Sequence, residues 1–411
     1  MGSKAQSDVF VTKADTLIDL GSRVITPGFC DVHTFFAGWV LRSLGIDFSS
    51  IRTGAQGVEA LLNDAKTKPD KTPLFGHCWQ QENFSAEDTA LLDKTFPDTP
   101  VVVFTFDRDN CWMNAAARRK YLFTPEACWA EMIWRMMADY LTSEEVQAKY
   151  TDYMQLLNSR GITSIKEMTF DNYYGFADTM EHMEKESKMT VRVSMMSQPV
   201  GSGINISHGK AMQRRFVGPF IRFSGYNRMT DRGIPRFLGE LIEPYKSRPD
   251  ITCMVPVEWA LIEKEVHEAD KNGFRYSLHC QGDGAVRHAV ALYDSCEKTD
   301  GKLKNRHAIT DLEYSNPVDL QKFGAMGGIT EVYAQIQSLD QKQDVMNMID
   351  EQLGTERGKN YWNRRKMWDS GLCVSCGTDL PLLIPDIPEA IYCGCGGYFA
   401  DGERFNKQNM L

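Results

Sequence analysis

Short apolar runs of strand length recur along the chain, each followed by a stretch whose apolar positions repeat with helical period. Eight runs read as strands: VITPGFCDVHTF (24–35), GITSIKEM (161–168), VRVSMMSQ (191–198), PFIRFSGY (219–226), RYSLHCQG (275–282), HAITDLEY (307–314), GITEVYAQ (328–335) and LCVSCGTD (372–379). Between them lie segments such as VEWALIEKEVHEADKNG (257–273), apolar at helical spacing and ending in Gly. Strands alternating with helices predict a parallel sheet. Eight such units predict one closed α/β domain, a (β/α)8 TIM barrel, over residues 24–411. A doubly wound open sheet is the alternative arrangement.

A long insertion separates the first two strands, at about residues 36–158. It holds a further strand, VVVFTFD (101–107), and a helical stretch, EACWAEMIWRMMADYL (126–141). It is expected to cap the barrel mouth. Trp79, Trp112, Trp129, Trp134 and Met132 could line an apolar lid, but ordinary core packing is the simpler reading of this stripe.

Composition narrows the function classes. The chain has 411 residues, 42% hydrophobic and 25% charged, enough for a large core. A net charge of -9 argues against nucleic acid or an anionic membrane, because phosphate binding needs a basic face. No apolar run reaches the roughly 18 residues that span a bilayer. The opening MGSKAQSDVF has no apolar targeting core. Eleven cysteines, an odd count without framework spacing, suit a reduced cytoplasmic protein. Cys373 and Cys376 form a C-x-x-C inside an expected buried strand, where they read as small apolar core residues.

In such a barrel the functional groups sit at the C-terminal ends of the strands. Polar residues near those ends are His33, Lys166 with Glu167, Arg222, His279, Asp311 with Glu313, Gln335 and Asp379. Closure would gather two imidazoles, several carboxylates and two cations in one pocket. His33, His279 and Asp379 at three separate strand ends point to one functional site. Lys166 and Arg222 could equally be structural partners of Glu167 or a nearby Asp. Asp283, just after the fifth strand, reads as a helix or loop cap.

These segments resemble the amidohydrolase superfamily, in the branch that includes N-substituted formamide deformylases. VITPGFCDVHTFFAGW is similar to that branch's first-strand motif, Pro-Gly-Phe-x-Asp-x-His-x-His. FDRDNCWMNAAA (106–117), HCQGDGAV (279–286), RHAITDLEY (306–314) and RRKMWDSGLCVSCGTDLPL (364–382) resemble its later motifs, in the same order. The resemblance implies a barrel holding one or two divalent metals that activate water, with the eighth-strand Asp taking a proton from it.

Residue by residue, the resemblance carries over only in part. His33 matches the first His, while Phe35 stands at the second. Arg222 aligns with the bridging Lys, and Arg cannot be carboxylated in its place. His279 matches the fifth-strand His, Asp311 replaces the sixth-strand His, and Asp379 matches the last Asp. Asp109 stands at the insertion's His, and Lys166 where an imidazole is often found. The set His33, His279, Asp311 and Asp379 could hold a single Zn²⁺, Mn²⁺ or Fe²⁺. Arg222 could instead take the metal's place as a carboxylate clamp. The resemblance also implies a small β-sandwich domain, of which residues 1–23 would be a remnant.

Three functions follow. The first is hydrolysis of a C–N bond in a small amide, formamide or cyclic amide by one metal-activated water. Its catalytic residues would be Asp379, His279, Arg222 and Lys166. The second is a metal-independent decarboxylase, lyase or isomerase with Arg222 and Lys166 on a substrate carboxylate. The third is an inactive homologue acting as a binding module. A homodimer is the default assembly.

Overall fold

The computed structural model describes residues 8, 10–11, 13–105, 110–121, 137, 139–169, 176–198 and 203–405. Its first strand, β1, runs only from Phe29 to Thr34. Residues 13–28 form no strand and are nearly all exposed, so the expected sandwich remnant at 1–23 shows no strand among its described residues.

The insertion builds a sheet of its own. Strands β2 (Ile46–Asp47), β3 (Leu74–Trp79), β4 (Val101–Thr105) and β5 (Cys111–Met113) pair in that order, parallel except for the last. Val101, Val103 and Trp112 face Leu61 and Leu92 of helices Gly54–Ala65 and Ala86–Thr95 in a separate small core. Phe75, Val102 and Phe104 face the other way, into the main core with Leu41 and Tyr150. A strand covered on both faces is apolar throughout, which is why VVVFT shows no alternation. Trp79 and Trp112 are core residues. Trp129, Trp134, Met132 and Asp109 lie outside the described residues.

The barrel resumes after helix Ser143–Ser159, whose start is set by a capping box between Thr142 and Glu145. Its strands are β6 (Ile162–Thr169), β7 (Arg192–Ser197), β8 (Ile221–Met229) and β9 (Arg275–Cys280). A short hairpin, β10 (Lys298–Thr299) with β11 (Lys302–Leu303), precedes β12 (Ala308–Asp311), β13 (Ile329–Val332) and β14 (Cys373–Cys376). Eight strands pair in the order β1-β6-β7-β8-β9-β12-β13-β14, all parallel. A parallel bridge from Thr34 to Leu380 joins the two edges. Strands that neighbour in sequence order and close on themselves make a barrel, so the doubly wound alternative is set aside.

Two expectations about individual strands need correction. β8 ends at Met229, three residues beyond the expected Tyr226, and a bulge shifts its register between Phe223 and Gly225. Gly225 sits at φ 143, and a Cβ there would lie 2.1 Å from the Arg275 carbonyl oxygen. β14 is a strand as expected, but Cys373 and Cys376 are exposed rather than core residues. Among the described residues, no helix is long and apolar enough to cross a membrane.

Candidate active site

The strand tips bring together two imidazole–carboxylate pairs. His33, the fifth residue of β1, is 3% exposed, and its Nε2 lies 3.7 Å from Asp379 Oδ1. Its Nδ1 is 3.3 Å from the Thr310 hydroxyl, and its ring packs edge-on against Phe35 and Tyr333. Burial, with Lys166 and His279 nearby, holds the His33 imidazole well below the usual histidine range, so it is neutral.

Asp379 is delivered by a loop that only a glycine can start. Gly377 follows β14, and a Cβ on it would meet the His33 Cβ at 2.8 Å. The next residue, Thr378, donates from its hydroxyl to Asp31 Oδ2 at 2.5 Å and from its N–H to Oδ1 at 3.1 Å. Asp379 N–H then donates to the His33 carbonyl at 2.9 Å. Burial pushes the Asp31 carboxyl up to about 6 despite these donors. Asp31 is therefore the buckle between the first and last strands and sets the His33–Asp379 pairing.

The second pair follows from register. Thr310 of β12 pairs with His279 of β9, which brings Asp311, at the tip of β12, against the imidazole. His279 Nε2 forms an ion pair with Asp311 Oδ2, and Gln281 Nε2 donates to the same oxygen at 2.7 Å. Burial opposes the charged ring, but Asp311, Asp231 and Asp379 outweigh it and raise His279 to about 9. Its Nδ1 is buried with no hydrogen-bond partner. Asp311 and Asp379 both adopt left-handed backbone, at φ 78 and 52. Such conformations cost a non-glycine residue roughly 1 kcal/mol and concentrate at functional sites.

Lys166 lies inside the barrel beside His33, 5% exposed. It pairs with Glu331 of β13, whose other oxygen takes Arg275 at 2.5 Å. Glu167, the partner expected from sequence, points away and accepts from Phe36 N–H at 2.6 Å and the Thr34 hydroxyl at 3.0 Å. Burial, outweighing Glu331, lowers Lys166 to about 8.

Arg222 is corrected. It is the second residue of β8, exposed, at the strand end away from the tips. Seven more residues of β8 follow it, and Met229 rather than Arg222 stands beside His279. Asp283 is the first residue of a helix whose N-cap is Gly282 without a side-chain cap, and its carboxylate instead accepts from Ile242 N–H at 2.9 Å. Gln335 donates to Glu389 and also lies away from the two pairs.

Tyr333 was not singled out from sequence. It follows β13 and places its hydroxyl 3.3 Å from Thr310 and its ring 5.4 Å from His33. Glu313 accepts from the Tyr361 hydroxyl at 3.0 Å, and burial together with Asp311 pushes it up to about 8. Arg364 is buried beside a 10 Å³ cavity that also touches Asp311 and Tyr333, and it donates to Gln337 and to the Tyr333 carbonyl.

For a divalent metal, the donor set of two imidazoles and two carboxylates has suitable chemistry. The neutral His33 fits a ligand role, and the unpartnered His279 Nδ1 would fit one only after giving up its proton. In position, the four donors stand as two pairs. No three of them bring ligand atoms within 4.8 Å of one another among the described residues. A two-metal centre does not fit, since Phe35 offers no donor and Arg222 lies elsewhere.

The family comparison bears on the same segments. The model of the amidohydrolase family matches residues 16–392. The chain is 29% identical to the putative amidohydrolase YtcJ of Bacillus subtilis, covering 89% of this chain and 72% of that protein. It is 17% identical to the protein LONG AFTER FAR-RED 3 of Arabidopsis thaliana, covering 93% and 70%. Its fold matches the structure of an uncharacterized metal-dependent hydrolase from Pyrococcus horikoshii, with TM-score 0.71 and 16% identity over 96% of this chain and 79% of that one. With the barrel, the ordered motifs and this match in agreement, the chain belongs to the amidohydrolase family.

Proposed function

We propose that this protein hydrolyses a C–N bond of a small molecule, an amide, formamide or cyclic amide, at the paired strand tips. The observation that carries the reading is the neutral His33 held 3.7 Å from Asp379. Asp379, 31% exposed in its side chain, is the group of that pair able to meet an incoming water. It acts as general base and takes the water's proton. His33 fixes the carboxylate's orientation from beneath. His279, held charged by Asp311, donates a hydrogen bond to the carbonyl oxygen or a proton to the leaving nitrogen. Tyr333 and Phe35 wall the site and limit water. A divalent metal would have to draw His33, Asp379, Asp311 and a deprotonated His279 together from their two pairs, and would then supply Lewis-acid activation of the water. The motif resemblance supports substrates like those of N-substituted formamide deformylases.

A second reading has its own support. Lys166 and Arg275 share the single carboxylate of Glu331, which leaves one excess positive charge inside the barrel and suits a metal-independent decarboxylase, lyase or isomerase. Elemental analysis after expression in Zn²⁺- and Mn²⁺-supplemented medium, with assays with and without chelator, separates the two. A panel of N-formyl, N-acyl and cyclic amides tests the reaction class. Asp379→Asn is expected to lower turnover by about 10²–10⁴-fold. A panel without any turnover, or an Asp379→Asn variant equal to the parent, overturns the proposal.

A further inference from the structure

A second set of ligand-type side chains lies in the insertion's own sheet. Asp47, His77 and Cys78 bring one ligand atom each within 4.8 Å of one another. Asp47 of β2 pairs in register with His77 of β3, so the carboxylate and the imidazole sit side by side at the strand ends. Cys78 is the next residue and would ordinarily face the opposite side of the strand. It does not, because its backbone is left-handed at φ 61, where the register of β3 against β4 also shifts.

The histidine is oriented for a ligand. Its Nδ1 lies 3.2 Å from the Leu44 carbonyl oxygen. A carbonyl only accepts, so Nδ1 carries the hydrogen, and the lone pair of the neutral ring is on Nε2. A backbone carbonyl holding one ring nitrogen is the usual outer support of a metal-binding imidazole. Asp47 accepts from the Ser49 N–H at 2.8 Å on Oδ1, and the Ser49 hydroxyl also bonds its carboxylate. All three residues are exposed or half-buried, so an ion can reach them from solvent. Arg42 is the nearby cation, and its guanidinium donates to the Pro381 carbonyl at 3.1 Å.

The one other comparable cluster among the described residues shows the contrast. Asp270, Cys296 and His307 are buried together. Both His307 nitrogens are engaged there, Nε2 with Asp270 at 2.9 Å and Nδ1 with Tyr276 N–H at 3.0 Å, and its ring stacks on Tyr293. That cluster is closed packing with no donor left over.

We infer that Asp47, His77 and Cys78 form a zinc-type metal site separate from the barrel. One carboxylate oxygen, one imidazole nitrogen and one thiolate, completed by water, match the tetrahedral preference of Zn²⁺. Binding forms a metal–sulfur bond and releases the thiol proton to solvent, with no change of oxidation state. The ion would tie β2 to the end of β3 and brace the insertion.

Titration of the purified full-length chain with Co²⁺ tests this, because a thiolate ligand gives cobalt a near-ultraviolet charge-transfer band. The four residues paired at the barrel tips include no thiol, so a metal held there gives no such band. The expected result is a band that saturates at one equivalent, is displaced by Zn²⁺, and disappears in Cys78→Gly. Glycine suits the left-handed position, so that variant keeps its fold, which its melting temperature without metal verifies. His77→Gln is expected to weaken binding roughly tenfold or more. No charge-transfer band in the parent chain, or a band that persists unchanged in Cys78→Gly, overturns the inference.

Discussion

Glu331→Gln is the sharpest probe of the barrel interior. Glu331 is 1% exposed and is the carboxylate between Lys166 and Arg275. Removing its charge leaves two cations without it. Arg275, with 22% of its side chain exposed, can draw on solvent, but Lys166 cannot. Lys166 escapes by losing its proton. Relative to the parent, where Lys166 titrates near 8, that costs about 1.4 kcal/mol at pH 7. With the lost hydrogen bonds and pairing included, breaking a buried pair costs about 3–5 kcal/mol in all. With an unfolding entropy of roughly 2.1 cal/mol/K per residue, a cost of ~4 kcal/mol lowers Tm by about 5 °C in a chain of 411 residues. Lys166 already titrates near 8 in the parent. Between pH 7 and 8 the folded variant, with Lys166 neutral, binds fewer protons than the folded parent, so the deficit shrinks by about 1 kcal/mol. Lys166→Met leaves Arg275 and Glu331 paired and is expected to cost less than 2 °C. Differential scanning calorimetry at pH 7 and 8 reads all three proteins. Glu331→Gln within 1 °C of the parent, or Lys166→Met as damaging as Glu331→Gln, refutes the reasoning.

Gly377→Ala forces a Cβ to within 2.8 Å of the His33 Cβ and displaces the loop that carries Asp379. Turnover is expected to fall by tenfold or more while near-native ellipticity is kept; full activity would show that the loop tolerates the shift. Asp31→Asn turns one of the two oxygens that accept from Thr378 into an NH2 donor facing another donor, and is expected to cost about 1–3 kcal/mol in urea titration. Stability as a whole is expected to decline from pH 5 to 8. Burial raises Asp31 and Asp231 to about 6 and Glu167 and Glu313 to about 8. Their folded forms therefore hold protons that the unfolded chain has released above pH 4 to 5. The stability they contribute is complete below that range and is lost as pH rises through 6 and then 8. Thermal melts at constant ionic strength check the slope, and a Tm that rises steadily from 5 to 8 contradicts it.

The sequence by itself determined the eight barrel strands and the tip positions of His33, His279, Asp311 and Asp379. These follow from local signals: strand-length apolar runs, helical periodicity between them, and glycines that stop the helices. What only the tertiary structure decided is which side chain meets which. Lys166 and Glu167 are neighbours in sequence, yet they face opposite ways, and Lys166 finds Glu331 165 residues away. Arg222 read as a tip residue, yet it is the second of nine residues in β8, and the bulge at Gly225 is a consequence of pairing with β7. The two histidines divide between Asp379 and Asp311 for the same reason. Strand register and barrel closure are set by contacts between segments far apart in the chain, and no local pattern of residues encodes them.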